Sequence, residues 1–307
     1  MPTVEEGSTA TVGVVVLHWG PIDVTRRCLQ SLSQVRYPGT RIFLVDNALT
    51  LPASAPGWAF PLEVQILRPE RNLGFSEGSA WGVAEALKHD PDYVLLLNND
   101  AVVDPPFLDC LVDAARKAPG AGLLCPQVAF LEHPDLVWYA GGRFSLWSGI
   151  PRHTNWQRPV NTSGPPREVD FATGCAVLIQ PALIRAIGSF DSRFFAYCED
   201  VDLSIRARQA GFTILIVPAS LIRHSAVYDD QRLFQRTYYS TRNLLEVMAK
   251  HATWVQWLTF IPNFLTRWIA FFLTIALLRR RPRLVKALTR GIVDFARRRL
   301  GERSYSW

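Results

Sequence analysis

The stretch YVLLLNND, residues 93–100, places three polar side chains directly after five mainly apolar residues. A short apolar run that ends in turn-forming residues predicts a strand buried on both faces. Similar runs stand at residues 12–17 (VGVVVL), 41–45 (RIFLV) and 64–67 (VQIL), and sequence with helical spacing separates the first two. Helix-forming sequence also covers residues 78–88. Because strands alternate with helices, we expect an α/β fold with a mostly parallel sheet flanked by helices.

The second half of the chain predicts similar elements after one long loop. Residues 144–169 are rich in Pro, Gly, Ser and Asn without a sustained period, which is typical of long functional or mobile loops. The predicted strands after it cover residues 176–179 and 213–217, and the predicted helices cover residues 181–186, a stretch from about residue 199, and residues 231–250. We expect one α/β domain over residues 1–250 and a helical tail over residues 251–307.

The composition argues against disorder and export. With 307 residues and 49% hydrophobic content, the chain can bury a full core. Its five cysteines are odd in number, and none has the C-x-x-C spacing of a zinc site or redox pair, which indicates reduced thiols in a cytoplasmic protein. The apolar run at residues 12–17 is too short for a signal-peptide core, so we expect no export.

Charge and hydropathy single out the tail. The net charge of +6 is concentrated in residues 279–303, and an apolar, Trp-rich segment at residues 254–278 precedes it. This order favours an anionic membrane surface over nucleic acid as partner. The apolar segment is long enough to span a bilayer, but Pro262 and Arg267 interrupt it. We therefore expect two shorter helices in the membrane interface, with the four arginines of residues 279–283 against anionic lipid. A helical hairpin packed on the α/β domain or on a second copy of the chain is the alternative.

Acidic residues at the expected carboxyl edge of the sheet indicate a binding site. Asp100 follows a buried strand, where a carboxylate can hold a divalent cation against a diphosphate. A simple turn through Asn98, Asn99 and Asp100 explains the same residues. Asp46 ends the second strand, a position where acids bind ribose or base in nucleotide-binding sheets, and a turn-forming Asp-Asn is again the alternative.

A second acidic cluster stands at a predicted helix start. Glu199, Asp200 and Asp202 follow the aromatic sequence FFAY. An apolar wall raises the pKa of a carboxyl, which suits a general base. The alternative is structural, because acids favour helix N-termini and Asp202 can pair with Arg206. A lone histidine such as His224 is also more often structural than a ligand.

Several stretches in this order resemble the family 2 glycosyltransferases, and most closely the bacterial rhamnosyltransferase-like branch that builds cell-surface polysaccharides. They are VVVLHWG with DVTRRCLQSL, FLVDNA, RNLGFSEGSAWG, YVLLLNND, and FATGCAVLI with GSFDSRFFAYCEDVDLSIRARQAGF and the histidine after it. The likeness covers roughly residues 12–250.

The resemblance implies a GT-A fold and a single displacement that inverts the anomeric centre of a sugar. Asp200, with Glu199, resembles the catalytic base of the family's E-D motif. Asp100 resembles the metal-holding acid of its D-x-D motif, and His224 resembles the histidine that completes the metal site in related enzymes, with Mg²⁺ or Mn²⁺ as cofactor. The implied donor-binding residues are Asp46, Asn72, Gly74, Asn98 and Asn99.

The same resemblance implies the substrates. The donor would be a nucleoside-diphosphate sugar, with dTDP-rhamnose and a UDP-sugar as candidates, and the acceptor a glycan or lipid-linked hydroxyl at the inner face of the cell membrane. For the acceptor we expect contacts from Trp147 and Trp156 of the long loop, and from Asp202.

The sequence departs from the family pattern in three places. Asn98 stands for the first acid of D-x-D, His18-Trp19-Gly20 stands for Asn-Tyr-Asn, and Ala48 interrupts D-N-x-S. The missing acid lowers the charge of the metal site, which leaves Asp100, His224, the donor diphosphate and water as expected ligands.

Two other functions stay open. A sugar nucleotidyltransferase also uses a metal and an α/β sheet, but it normally has a Gly-rich N-terminal loop with Arg and Lys, which VVVLHWGPID lacks. A non-catalytic, membrane-attached sugar-nucleotide-binding protein would not need the Glu199-Asp200 pair.

Overall fold

A computed structural model describes residues 9–51, 63–225 and 230–303, and in it the apolar runs of the first half form parallel strands. These are β1 (Val12–Leu17), β2 (Thr40–Val45), β3 (Val64–Leu67) and β4 (Tyr93–Asn98), connected in part by helices α1 (Ile22–Leu32) and α2 (Gly74–Leu87). A Cβ at Gly82 of α2 would lie 2.4 Å from a methyl carbon of Val15. Glycine at this position therefore lets the helix pack directly on β1.

The second half adds strands of both directions to the same sheet. These are β5 (Ala101–Val103), β6 (Ala121–Phe130), β7 (Val137–Tyr139), β8 (Gly142–Arg143), β9 (Arg152–His153), β10 (Arg167–Glu168), β11 (Ala176–Ile179) and β12 (Thr213–His224). In the described part of the chain the sheet has ten strands in the order β10-β12-β6-β11-β4-β1-β2-β3, with β5 beside β12 and β7 beside β6. β8 and β9 form a separate two-stranded ribbon.

The predicted α/β fold with a sheet flanked by helices is confirmed. The parallel arrangement extends through the first half, whereas β11 runs antiparallel to both neighbours, β4 and β6. β6 was not predicted, because Gly122 and Pro126 within it weaken the strand signal. The predicted long loop also contains β9 and β10, which are too short to leave a periodic pattern.

Helices surround the second half of the sheet and continue into the tail. They are α3 (Phe107–Lys117), α4 (Pro181–Ile187), a 3₁₀ turn (Ser192–Phe194), α5 (Glu199–Gln209), α6 (Asp230–His251) and α9 (Arg283–Ala296). α9 packs so closely on α6 that a Cβ at Gly291 would lie 2.8 Å from the carbonyl oxygen of Tyr238. The tail thus packs on the α/β unit, and a domain boundary at residue 250 stays a prediction.

The apolar segment of the tail forms one continuous helix. α7 (Trp254–Asn263), a π-helical stretch (Phe264–Ile269) and α8 (Ala270–Leu278) follow one another without a break. The expectation of two shorter helices divided at Pro262 is wrong. Proline lacks the N–H that would bond to the preceding turn, and the π-helical turn just after it absorbs the change in hydrogen bonding.

Candidate active site

Polar side chains gather at one edge of the sheet because its parallel strands end at the same level. Leu17 pairs with Val45 on one side and with Asn98 on the other. Asp46 and the segment Asn98–Asp100 therefore follow neighbouring strands at the carboxyl edge. Ligands of open α/β sheets bind at this edge.

Asp100 and His224 lie side by side at this edge. β5 pairs antiparallel with β12, and this register sets His224 opposite Ala101, the residue after Asp100. Oδ1 of Asp100 is 3.1 Å from Nε2 of His224. Burial opposes the ionisation of Asp100, but the neighbouring imidazole and the charge of Arg232 outweigh it and lower the pKa of this carboxyl.

The pair fits a divalent cation. Oδ1 of Asp100 is shielded from solvent, and among the described residues it has no hydrogen-bond partner besides the imidazole of His224 that it faces. Two ligands at right angles, each about 2.1 Å from one ion, lie about 3 Å apart, close to the observed separation. Within the described ranges, no group of three or more His, Cys, Asp or Glu residues could hold a metal ion. Asp100 and His224 would therefore be the two protein ligands among the described residues, and diphosphate and water oxygens would supply the others.

Asn99 belongs to a buried hydrogen-bond network beneath the edge. Its amide donates to Oγ1 of Thr25 at 2.8 Å and to the carbonyl oxygen of Trp19 at 2.9 Å. His18 joins through Thr25 at 2.6 Å and Thr50 at 2.9 Å. Burial lowers the pKa of His18, so its ring is neutral near pH 7. The network ties together the loops that follow β1, β2 and β4.

Asp46 is engaged inside the protein. Only 1% of it is exposed, and its carboxylate accepts hydrogen bonds from the backbone N–H groups of Thr50 and Leu51 and from Arg68 at 3.0 Å. Asp46 therefore holds the loop after β2. Its contact with the base or ribose of a donor stays a prediction.

The loop after β3 and the first residue of α2 carry two predicted donor-binding residues, Asn72 and Gly74. Oδ1 of Asn72 accepts a hydrogen bond from the N–H of Gly74 at 2.8 Å. Asn47 binds the same loop through the N–H of Leu73 at 2.8 Å and the carbonyl of Gly74 at 3.1 Å. Gly74 has a φ of +69°, and a Cβ there would lie 2.4 Å from the ring of Phe195. Glycine thus lets this loop contact the segment before α5.

Asp200, in the first turn of α5, is tied to the sheet edge. Its Oδ2 accepts a hydrogen bond from the N–H of Gly174 at 3.1 Å, and the carbonyl of the next residue, Cys175, accepts one from the N–H of Asn98 at 2.8 Å. Burial raises the pKa of Asp200, although hydrogen bonds from Gly174 and Val201 oppose it. A carboxylate with a raised pKa suits a general base.

Glu199, the neighbouring acid, has different chemistry. It is 5% exposed, and its Oε2 has no hydrogen-bond partner within the part of the chain that the structure describes. Burial and the negative charge of Asp200 raise the pKa of Glu199 well above its usual range. Glu199 therefore keeps its proton near neutral pH more readily than Asp200, and Asp200 is the better base of the two.

Asp202 lies in a buried ion network and not at an open surface. Its fully buried carboxylate contacts Arg206 at 2.8 Å, Lys250 at 2.7 Å and His251 at 2.7 Å. Burial raises the pKa of Asp202, but the hydrogen bonds from these three side chains outweigh it and lower the pKa. With both oxygens engaged, Asp202 joins α5 to α6, and its contact with the acceptor stays a prediction.

Similar proteins identify the family. A family model described as glycosyltransferase like family 2 matches residues 10–255. The chain belongs to this glycosyltransferase family. The N-acetylglucosaminyl-diphospho-decaprenol L-rhamnosyltransferase of Mycobacterium tuberculosis is 28% identical over 247 residues, which cover 73% of this chain and 79% of that protein. The rhamnosyltransferase WbbL of Escherichia coli K12 is 27% identical over 157 residues, which cover 48% of this chain and 58% of WbbL.

Solved structures support the fold of this glycosyltransferase. GalNAc-T7, crystallised with UDP, GalNAc and Mn²⁺, matches 80% of this chain with a TM-score of 0.64 and 18% identity. The match covers 48% of GalNAc-T7, so this chain spans about half its length. The likeness identifies the GT-A fold and carries no information on the substrates.

An aromatic cluster beside the candidate site has no signal in the sequence. The ring centre of Trp138 lies 4.8 Å from that of His224 and 4.7 Å from that of His153. Trp156, a predicted acceptor residue, joins the cluster 6.2 Å from His153 and is 47% exposed. Trp147 lies elsewhere, because its carbonyl oxygen accepts a hydrogen bond from α7 at 2.7 Å. Only the tertiary structure brings the cluster together, since β7 and β9 are too short to be predicted.

Proposed function

We propose that this glycosyltransferase moves a sugar from a nucleoside-diphosphate donor to an acceptor hydroxyl in one inverting displacement. The observation that carries the proposal is the partly buried carboxyl of Asp200, whose pKa is raised and which is tied to the edge that holds Asp100 and His224. We propose dTDP-rhamnose or a UDP-sugar as donor. The acceptor would be a glycan or lipid-linked hydroxyl in cell-surface polysaccharide synthesis. The names of the two rhamnosyltransferases support this choice.

In the proposed reaction, Asp200 accepts the proton of the acceptor hydroxyl. The acceptor oxygen forms a bond to the anomeric carbon from the face opposite the diphosphate. The bond between that carbon and the diphosphate oxygen breaks, and the nucleoside diphosphate leaves with the electron pair. The N–H of Gly174 orients the carboxylate of Asp200. Alignment of the two substrates lowers the barrier by removing translational and rotational freedom beforehand.

The test of the base is Asp200→Asn, which keeps the shape of the side chain and removes its basicity. We expect transfer to fall about a hundredfold or more, the scale for loss of a general base, while donor binding stays nearly intact. Glu199→Gln is the matched control, because glutamine imitates a protonated glutamate and should lower transfer much less. Near-normal turnover by Asp200→Asn would remove Asp200 from this role.

Nucleotide release from a panel of nucleotide sugars identifies the donor and separates the rival functions. A glycosyltransferase releases a nucleoside diphosphate from one donor class. Formation of a nucleotide sugar from a nucleoside triphosphate and a sugar phosphate, with release of pyrophosphate, would indicate a nucleotidyltransferase. Binding without any turnover would indicate a sugar-nucleotide-binding protein.

For the cofactor we propose Mg²⁺ or Mn²⁺ held by Asp100 and His224. When bound, the ion would neutralise the charge that develops on the diphosphate. Asp100→Ala and His224→Ala should each raise the metal concentration needed for half-maximal transfer and weaken Mn²⁺ binding in calorimetry with nucleoside diphosphate present. Asp113→Ala, at an exposed acid of α3, is the control. Unchanged metal dependence in both site variants would show that the ligands lie elsewhere.

For the acceptor we propose that Trp156 stacks on a sugar ring at the exposed end of the aromatic cluster. Trp156→Ala should raise the KM for the acceptor without changing the KM for the donor. Trp147→Ala is the matched comparison, since Trp147 is also about half exposed but lies against α7. An effect of Trp147→Ala alone would place the acceptor contact at the other end of the loop.

For the tail we propose that the helix Trp254–Leu278 lies in the interface of an anionic membrane. It is the one helix in the described residues that is long and apolar enough to cross a bilayer. One side of it packs on the protein through residues spaced by four: Phe260, Phe264, Trp268, Phe272 and Ala276. Steps of four residues advance about 40° around an α-helix, and the looser π-helical turn reduces this drift. The other side exposes Trp254, Leu258, Ile261, Leu265, Phe271, Leu273, Leu277 and Leu278.

This packing favours a helix that lies in the interface over one that crosses the membrane. The packed side extends along most of the helix, so crossing would separate the helix from the protein. Arg267 would also lie within the hydrocarbon, at a cost of about 2.5 to 3.5 kcal/mol on insertion scales. In the interface, the arginines of residues 279–283 can approach anionic headgroups.

The test is sedimentation of the full chain with vesicles of phosphatidylcholine, with and without phosphatidylglycerol. We expect binding to anionic vesicles that weakens with salt. The double variant Leu258→Glu, Leu277→Glu should bind less, and the matched control Gln30→Glu on α1 should bind as the wild type does. If the full chain binds neither kind of vesicle and sediments as a dimer, the exposed apolar face of the helix packs on a second copy of the chain instead.

A further inference from the structure

The segment Phe194–Cys198, which leads into the helix of Asp200, has an unusual backbone. Phe195, Tyr197 and Cys198 have φ values of +63°, +68° and +69°. Residues with side chains rarely adopt this region, and they remain there only where their surroundings hold them. Other parts of the protein must therefore hold this segment, which ends two residues before the proposed base, Asp200.

Asn243 of α6 makes the contacts that hold the segment. It is fully buried, and its Nδ2 donates to the carbonyl oxygens of Phe194 at 2.8 Å, Ala196 at 2.7 Å and Tyr197 at 2.8 Å. Its Oδ1 accepts a hydrogen bond from Nε of Arg242 at 2.9 Å. Because arginine can only donate, this contact orients the amide so that the nitrogen faces the segment.

Arg242 connects the same segment to the end of the described chain. It is also fully buried, and it donates to the carbonyl of Phe194 at 3.0 Å and to the carbonyl of Gly301 at 2.7 Å. The N–H of Gly301 in turn donates to the carbonyl of Arg193 at 2.8 Å. Residues 299–303 thus hold Arg242 and the residue just before the segment in place.

The remaining side of the segment contacts residues 72–76, the end of the loop after β3 and the first turn of α2, which we call the donor loop. The carbonyl of Phe195 accepts a hydrogen bond from the N–H of Ser76 at 3.0 Å, and the Phe195 ring fills the space that a side chain at position 74 would need. A shift of the segment would therefore move Asp200 and the contact with the donor loop together. A misplacement of about 1 Å is enough to lower turnover about a hundredfold.

We propose that Asn243 is a positioning residue for sugar transfer: through three backbone carbonyls it fixes the strained segment that aims Asp200 at the acceptor hydroxyl. Arg242 acts indirectly, because its hydrogen bond orients the amide of Asn243. The inference rests on the proposed function, since it gives Asn243 a role in the same reaction.

The principal test is Asn243→Asp in the full chain. Aspartate has the same size and can keep the contact with Arg242, but its carboxylate cannot donate to the three carbonyls. We expect kcat to fall about 10- to 100-fold while the KM for the donor changes by less than about threefold. Ile42→Ala, a cavity variant in β2 far along the sheet, is the control for a loss of stability alone and should keep the wild-type kcat.

Two further readouts of Asn243→Ala separate positioning from general destabilisation. Amide hydrogen exchange should become faster at residues 194–202 and stay unchanged in β1 and β4. The acid limb of the kcat profile should also move to lower pH, because a relaxed segment lets water reach Asp200 and lowers its raised pKa. Wild-type kcat in both Asn243 variants overturns the inference, as does an equal loss of kcat in Ile42→Ala. If the wild type transfers sugar from no donor, the proposed function itself has failed, and the inference fails with it.

Discussion

Acidification from pH 7 to pH 5 should destabilise the protein through His153, a largely buried histidine of the aromatic cluster. Its ring centre lies 4.7 Å from that of Trp138 and 5.1 Å from that of Tyr139. Burial lowers the pKa of His153 from 6.5 to about 4, although its contact with the carbonyl of Trp138 opposes the shift. Because the pKa is depressed in the folded state, the unfolded chain binds the proton first as the pH falls. The stabilisation is therefore present above about pH 6.5 and decreases toward pH 4.

The size of the effect follows from the two pKa values. A proton that binds with a pKa of about 6.5 in the unfolded chain and about 4 in the folded protein lowers the free energy of unfolding by about 2 kcal/mol between pH 7 and pH 5. Other groups titrate in the same range, so the wild type alone does not isolate His153. The contribution of His153 is obtained by subtracting the pH effect measured in a variant without this histidine, provided that His153 titrates independently of the other groups.

Urea unfolding of the wild type and of His153→Gln at both pH values provides the measurement. Glutamine has no charge at either pH, so the variant should lose about 2 kcal/mol less than the wild type on acidification. His133→Gln, at an exposed histidine in the turn after β6, is the matched control and should follow the wild type. Equal losses in the wild type and His153→Gln would refute the burial argument.

Three further predictions concern the donor loop, the ion network and the base. Gly74→Ala should lower the free energy of unfolding by about 2 to 4 kcal/mol, because the φ of +69° and the approach to Phe195 both oppose a side chain. Urea unfolding measures this free energy, with Gly120→Ala as the control because a Cβ at Gly120 would meet nothing within 4 Å. Equal losses of free energy in the two variants would contradict the steric argument at Gly74. Asp202→Asn should cost about 3 to 5 kcal/mol, because it leaves the partly buried cations of Arg206 and Lys250 without their buried partner. An unchanged urea midpoint would exclude a stabilising role for the network. The acid limb of the kcat profile should lie above about pH 4, because burial raises the pKa of Asp200. Steady-state transfer rates from pH 4 to 8 measure the position of this limb. A limb at or below pH 4 would contradict the burial argument.

The sheet edge could be predicted from the sequence because its signal is local. YVLLLNND contains both the buried strand and the polar residues that follow it, and the structure ends β4 at Asn98. The contact between Asp100 and His224 is different. It depends on the antiparallel pairing of the three-residue strand β5 with β12, which no periodic pattern reveals. The resemblance to a known family supplied that pair as an expectation, and residue types alone did not.

Three other features depend on tertiary contacts that the sequence does not show. Asp202 looks available in the sequence, but Lys250 and His251 from the end of α6 occupy its carboxylate. Pro262 predicts a helix break, yet a π-helical turn keeps the helix continuous. Asn243 gives no signal at all within α6, because its three acceptors belong to a segment 46 to 49 residues earlier in the chain.

The contact between Arg242 and Gly301 also has a consequence for biosynthesis. Chains fold from the N-terminal side as they are made, so the sheet and its carboxyl edge can form while the tail is still inside the ribosome. At that stage Arg242 lacks the carbonyl of Gly301, and a buried cation without its full set of acceptors is costly. The strained segment before Asp200 therefore reaches its final form only after residues 299–303 have emerged. A nascent chain whose residues 299–303 are still inside the ribosome would therefore lack the ordered segment that, in the proposed reaction, positions Asp200.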